Sequence, residues 1–353
     1  MRAARMHGYK QPLVLEDVKV PEIAADQVLL KVEAAGMCRT DAQMVDGYFE
    51  AYHPLTFPIT PGHEIAGTVE KIGSLVPKTA ALTEGDLVVV VGGWGDGTCR
   101  LCQAGNTQIC GHGDWPGFGP PGGYGEYVPV RYEYLIRLDK KYSLKAEELA
   151  PLTDAGLTPY RGIKKLRDAG ALGPDRVMAV IGIGGLGAYA VQYAKLFSSG
   201  ASVVAFGRND EKLAVAKEYG ADHVINIKNK SIDDIRAELN KATGRREIDA
   251  AVDCVGAEDT IRMGFNLLAT AGTYCSVGLV GTRIDIPLFP FVAREFTYHG
   301  SFWGNYNDLS EVIALAQQGK IRHTLKKVRF EDINEALEQL RDGDVIGRAV
   351  VTF

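Results

Sequence analysis

The sequence predicts an α/β protein of two unlike parts, one β-rich and the other a doubly wound parallel sheet. Three observations carry that prediction. Residues 1 to about 150 read as strands and turns with almost no long helical periodicity. From about 156 onward, short apolar strands alternate with helical segments, the pattern of a βαβ series. One of those strands runs straight into a glycine-patterned turn that opens a helix. At 353 residues the chain has room for two separate cores.

In the first part, 28–36 (VLLKVEAAG), 65–73 (IAGTVEKIG) and 86–93 (DLVVVVGG) are β-branched runs closed by glycine. In the second, 177–182 (VMAVIG), 202–207 (SVVAFG), 223–227 (HVINI), 249–256 (DAAVDCVG) and 273–278 (TYCSVG) are strands. Segments 210–221, 232–244 and 258–270 are the helices between them. After about 295 the alternation loosens: 310–320 and 333–343 are helical, and GRAVVTF ends the chain as a strand. The tail is expected to rejoin the first part, giving one domain of 1–155 with 295–353 and an inserted domain of 156–294. There is no internal repeat and no low-complexity segment.

The central turn is Gly182-Ile183-Gly184-Gly185-Leu186-Gly187, between the strand 177–181 and the helical AYAVQYAKLF. Gly182 permits a tight turn, Gly184 lets backbone approach a pyrophosphate, and Gly187 lets strand and helix pack closely. A helix N-terminus there presents free N–H groups to phosphates. Glycines alone are a weak signal; their place between strand and helix makes this a dinucleotide fingerprint.

Composition narrows the class. With 39 Lys plus Arg against 44 Asp plus Glu, the net charge of −5 offers no handle for nucleic acid or an anionic membrane. No apolar run reaches the ~20 residues of a membrane span, and MRAARMHGYKQPL lacks the apolar core of a signal peptide. The expectation is a cytoplasmic protein with no nucleic-acid or membrane partner. Six cysteines without a secretory signal point to metal or catalysis rather than to disulfides.

Two groups of ligand-type residues lie in the strand-rich part. Cys38 in AGMCRTD and His63-Glu64 in PGHEIAG offer a thiolate and an imidazole, which suit Zn²⁺. Asp154 in APLTDAGLTPY, at the junction of the two parts, is the best candidate for a third ligand, leaving one position open. Singly, Cys38 reads as a small buried hydrophobe and His63 as a satisfied histidine; the set favours metal. The second group is Asp96-x-x-Cys99-x-x-Cys102 followed by Cys110, in a glycine-rich loop with little apolar core, where a structural ion would tie the chain down. His112 is an alternative fourth ligand. Cys254 and Cys275 read as core residues of strands.

With GMCRTD, PGHEIAG, DGTCRLC…C, APLTDAGLTPYRGI and the 182–187 turn in that order, the chain resembles the zinc-dependent medium-chain dehydrogenase/reductase family, the alcohol dehydrogenases, over essentially its whole length. The resemblance implies a GroES-like β-rich catalytic domain made of both chain ends and a Rossmann cofactor domain. It implies Cys38, His63 and Asp154 as catalytic zinc ligands, and Asp96, Cys99, Cys102 and Cys110 as structural zinc ligands. It further implies Glu64 as a transient ligand, Thr40 as the hydroxyl that hands on the alcohol proton, and Asp41 as the group orienting His63. Three positions depart from the best-known members: Asp154 and Asp96 stand where those have cysteine, and Gln43 where some have a relay histidine. Microbial members are commonly tetramers, so a homotetramer, or a homodimer, is expected, with 288–292 (LFPFV) at an interface.

The cofactor reading turns on the end of 202–207. An acidic residue about 20 positions past the glycine turn would hold the ribose of NAD. Gly207 stands there, followed by Arg208, which can pair with a 2′-phosphate, so NADP is expected, with NAD possible if Asp210 or Glu211 takes the ribose. The substrate is a small alcohol, ketone or aldehyde, with Phe49, Trp94 and Trp115 as candidate pocket walls. The competing readings are an NADP-dependent aldose 1-dehydrogenase, using polar residues such as Gln43, Asp46 and Asn305, a zinc-free quinone or enoyl reductase, and a nucleotide-binding protein without turnover.

Overall fold

Val177–Ile181, a run of five apolar residues, three of them β-branched, is buried at every position, as a strand covered on both faces must be. In the computed structural model, which describes residues 1–353, it sits inside a six-stranded sheet. The order is His223–Asn226, Ser202–Gly207, Val177–Ile181, Ile248–Asp253, Leu268–Ser276, Thr297–Gly300, with every neighbour parallel. Helices Gly185–Phe197, Asp210–Glu218, Ile232–Thr243 and Glu258–Leu267 connect the strands. The order reverses between Val177–Ile181 and Ile248–Asp253, the switch point at which such sheets take ligands beyond the strand ends.

Three expected boundaries move. The strand expected over 249–256 stops at Asp253, because the chain turns at Gly256, whose φ is +64° and whose missing Cβ would lie 1.9 Å from the Gly278 carbonyl oxygen. Cys254 is therefore outside the strand and half-buried, not core, whereas Cys275 is inside one and fully buried. The helix expected to 270 ends at Leu267, and strand Leu268–Ser276 begins at once. The segment LFPFV is followed by a further strand, Thr297–Gly300, whose polar sequence TYHG hid it. The compact unit containing this sheet accordingly runs Thr158–Trp303, past 294.

The other compact unit is Met1–Leu157 with Gly304–Phe353. Its main sheet runs Leu325–Arg329, Arg348–Thr352, Gln27–Met37, Glu64–Ile72, Leu87–Val90, Leu135–Arg137, and Tyr127–Arg131 also pairs with Gln27–Met37. The register matters most at two joints. The last strand pairs antiparallel with the first long one, Ala349 opposite Met37, so Arg348 arrives beside Cys38. Glu64 pairs with Gly36, which sets His63 beside the same strand end. Beneath lies a core of Met37, Met44, Ile59, Phe118, Tyr124, Phe330 and Leu337. No helix is long and apolar enough to cross a membrane.

Candidate functional site

Cys38 directly follows strand Gln27–Met37 and caps the helix Arg39–Val45. That short turn brings Asp41 back, so that its Oδ2 accepts the Cys38 N–H at 2.8 Å. His63 precedes Glu64–Ile72, entered through Gly62, whose φ of +95° and whose missing Cβ, 2.6 Å from a Tyr124 ring carbon, exclude other residues. Asp154 ends the single turn Ala150–Thr153. These three segments deliver Cys38 Sγ, a His63 ring nitrogen and an Asp154 oxygen to within 4.8 Å of one another. His63 Nε2 lies 3.4 Å from Asp154 Oδ2. Donors around a tetrahedral Zn²⁺ at about 2.0–2.3 Å stand roughly 3.3–3.8 Å apart, so one sulfur, one nitrogen and one oxygen fit such an ion with small adjustment and leave a fourth position.

Behind the donors is a built support. Asp41 is 1 % exposed. It also receives the Tyr124 hydroxyl at 2.8 Å and faces His63 Nδ1 at 3.1 Å, turning Nε2 toward the donor set. Burial pushes the His63 imidazole down, but Asp41 and Asp154 outweigh it and hold the ring well above its usual value. An ion entering here must displace that proton. Thr40 Oγ1 lies 3.3 Å from Cys38 Sγ.

Glu64 is wholly buried, packed against Gly36, where a Cβ would lie 1.7 Å from Glu64 Oε2. Its oxygens are taken by Arg348, through Nε at 3.0 Å and through Nη2, and by the Ala155 N–H at 3.0 Å. Burial, offset by Arg348, pushes its carboxyl up to about 7. Arg348 Nη2 also reaches Asp154 Oδ2 at 3.4 Å. Sequence reasoning missed Arg348 and Tyr124. An arginine opening the apolar run RAVVT was a signal, but only the strand register gives it a destination.

The second donor group, Asp96, Cys99, Cys102 and Cys110, likewise brings its ligand atoms within 4.8 Å. All three cysteines are free thiols. Asp96 Oδ1 accepts the N–H groups of Cys99 at 3.0 Å and Thr98 at 2.8 Å, which hold its carboxyl far below the usual range. Gly95 has no room for a side chain, since a Cβ would lie 2.3 Å from Cys102 Sγ. His112 is exposed and outside the group. Trp94, expected in a pocket wall, stacks on Tyr134 at 5.9 Å and donates to the Val91 carbonyl, whereas Phe49 and Trp115 both pack with Phe118.

In the parallel-sheet unit, Gly182 has φ +85°, and a Cβ there would meet Val255 Cγ2 at 2.1 Å. At Gly187 it would meet the Gly182 oxygen at 2.0 Å. At Gly184 nothing lies within 4 Å, leaving open space in front of helix Gly185–Phe197, which begins with Gly185, Leu186 and Gly187 and has no side-chain cap. Gly207 ends its strand and Arg208 is exposed beyond it. Asp210, the nearest carboxylate after them, accepts from Asn226 Nδ2 at 2.6 Å.

A dinucleotide-type sheet in the same chain as a cysteine–histidine–aspartate donor set defines a metal-dependent dehydrogenase. The comparisons specify the family. Residues 24–140 match the alcohol dehydrogenase GroES-like domain and residues 185–318 the zinc-binding dehydrogenase domain. A NAD-dependent alcohol dehydrogenase of Saccharolobus solfataricus is 36% identical over 359 residues, covering 99% of each chain. A D-arabinose 1-dehydrogenase (NADP(+)) of the same organism is 36% identical over 352 residues, covering 99% of this chain and 97% of its own. The alcohol dehydrogenase of Aeropyrum pernix superposes with a TM-score of 0.92 at 35% identity over 100% of both chains. The chain belongs to the zinc-dependent alcohol dehydrogenase family of medium-chain dehydrogenases/reductases.

Proposed function

We propose that the chain is a zinc-dependent dehydrogenase that moves hydride between an alcohol and NADP, and back from NADPH to a ketone or aldehyde. The observation that carries this is the convergence of Cys38, His63 and Asp154 on one buried point with Asp41 behind them. Zinc held there supplies Lewis acidity that polarises an alcohol or carbonyl oxygen. The dinucleotide supplies a nicotinamide ring that exchanges hydride with the substrate carbon. Asp41 keeps the His63 ring oriented, so that its Nε2 is a ligand rather than a base. Thr40 Oγ1, the hydroxyl beside Cys38, would accept the alcohol proton while releasing its own to water. Arg348 and the Ala155 N–H restrain Glu64, which must leave them to serve as a transient ligand. Asp96, Cys99, Cys102 and Cys110 would hold a second zinc, which would tie down the loop around it.

The preference for NADP rests on Gly207 and Arg208. A carboxylate at 207 would crowd Leu213, 3.1 Å from the position of a Cβ, and the exposed Arg208 beside it supports the reading as a cation able to pair with a 2′-phosphate. Similar proteins carry both kinds of name, NAD-dependent and NADP(+). The aldose reading draws on the D-arabinose 1-dehydrogenase. Against it, Asp46 is paired with Arg341 at 3.0 Å, and Asn305 caps helix Tyr306–Gln317 by accepting the Asp308 N–H at 2.8 Å. Metal analysis with NADPH and NADH oxidation across ketones, aldehydes and aldoses tests all of this. Activity without metal, or faster turnover with NADH, would overturn the corresponding part.

For assembly, the proposal is a homotetramer or homodimer. Helix Leu288–Ala293 leaves Leu288, Phe289 and Val292 75%, 82% and 64% exposed, and strand Thr297–Gly300 beyond it is a sheet edge. Light scattering showing a monomer would end it.

A further inference from the structure

Beside His63 stands an aromatic group, and one side chain outside the donor set bridges two of its members. The Phe118 ring lies 5.8 Å from the His63 ring, and Phe49 and Trp115 meet Phe118 edge-on at 5.7 and 6.1 Å. Phe49 and Phe118 come from two stretches without sheet pairing between them, the irregular chain after helix Arg39–Val45 and the turns before strand Tyr127–Arg131. Backbone hydrogen bonds join the two stretches only at their far ends, where the N–H groups of Gly122, Gly123 and Tyr124 reach Thr60, Gly62 and Pro61. Around the rings they stay local, the His53 N–H going to Phe49, the Phe118 N–H to Trp115 and the Gly117 N–H to Pro120. His53 crosses between them. Its Nε2 donates to the Phe118 carbonyl at 2.8 Å, and its ring packs on Trp115 at 5.0 Å. The bond satisfies a buried carbonyl, and the ring contact fixes the indole.

We propose that His53 is a positioning residue for substrate, clasping Phe118 and Trp115 into a rigid apolar wall next to the donor set, and that this wall selects carbonyl compounds bearing an aryl or bulky apolar group. The inference rests on the dehydrogenase reading above. The polar atoms of the clasp, His53 Nε2 and the Phe118 oxygen, are spent on each other, so the wall offers ring faces and edges to the substrate. An aromatic substituent gains from rings already in place, while a small ketone scarcely touches them.

The test compares His53→Ala, His53→Gln and the wild type on an aryl methyl ketone and on acetone, with zinc content and Tm measured alongside. His53→Ala is expected to raise KM for the aryl ketone about five- to tenfold, the size of one lost hydrogen bond plus some contact, with kcat, zinc content and the KM for acetone within about twofold. His53→Gln, which can still donate to the Phe118 carbonyl, recovers most of that loss. An unchanged ratio of the two KM values, equal losses for both ketones, or a wild type that prefers aldoses would overturn the inference. A second readout does not need turnover. The chain has three tryptophans, and with Trp94 and Trp303 replaced by Phe, Trp115 reports alone. His53→Ala must increase acrylamide quenching of Trp115; unchanged quenching refutes the clasp. A loosened Trp115 in a protein inactive on every carbonyl would instead sink the dehydrogenase reading and the selectivity with it.

Discussion

Replacing Arg348 with methionine removes a deeply buried positive charge from the candidate site. Arg348 is 4% exposed and Glu64 not at all, so water screens neither. The substitution removes the Nε bond to Glu64, the shorter Nη2 bond and the 3.4 Å contact with Asp154, leaving Glu64 only the Ala155 N–H. Breaking a buried pair by removing one partner costs about 3–5 kcal/mol, because the remaining charge loses its compensation. Protonation limits the deficit: the Glu64 carboxyl sits at about 7 even with Arg348 pulling it down, so without the guanidinium it is neutral at pH 7. The deficit therefore falls at the lower end of that range, about 3 kcal/mol. The affected unit has about 200 residues, for which each kcal/mol moves Tm by roughly 2–4 °C, so Arg348→Met should lower Tm by roughly 6–12 °C. The double variant Glu64→Gln/Arg348→Met should regain more than half of that, since no buried carboxyl is then left to be either stranded as an anion or protonated at a cost. Scanning calorimetry on the zinc-loaded protein measures both. A single variant within about 2 °C of wild type, or a double variant lower than the single, would refute the argument.

Asp41→Asn keeps the shape but presents an amide to one of three donors, Cys38 N–H, Tyr124 O–H or His63 Nδ1–H. Zinc affinity, read by chelator competition, should fall about 10–100-fold; unchanged affinity would deny Asp41 its orienting role. Arg208→Ala should lower kcat/KM for NADPH by about 10-fold or more while leaving NADH within about twofold, and equal losses would mean that Arg208 does not meet the 2′-phosphate. Gly182→Ala strains a φ of +85° and drives a methyl into Val255. It should weaken dinucleotide binding and lower stability by about 1–3 kcal/mol, and a neutral result would remove the steric reason for that glycine.

Much of this was legible along the chain because the signals were local. The strand–glycine–helix order at 177–197 needs only neighbours in sequence, and the structure places its strand and helix there. Cys38 and His63 were selected by residue type and flanking glycines and Asp154 by its place at the junction; two strand registers shape their site, Gly36 with Glu64 bringing Cys38 and His63 together and Met37 with Ala349 bringing in Arg348. Registers are set by pairing between distant segments, so Arg348, which arrives through the second of them, was invisible until the strands were joined. The neighbours of Trp94 were hidden for the same reason: its closeness to the donor segments in sequence says nothing of the Tyr134 ring on which it stacks. The edge strand Thr297–Gly300 escaped because a half-exposed edge needs no apolar alternation.

The central claim is that one ion gripped by Cys38, His63 and Asp154 is needed for turnover. Metal content measured beside NADPH-linked activity, in wild type and in Cys38→Ala, addresses it most directly. The account predicts two zinc ions per chain in the wild type, one in the variant and loss of nearly all its activity, with the loop ion on Cys99, Cys102 and Cys110 retained. A variant that reduces ketones at the wild-type rate, or a wild type fully active after complete metal removal, would contradict it.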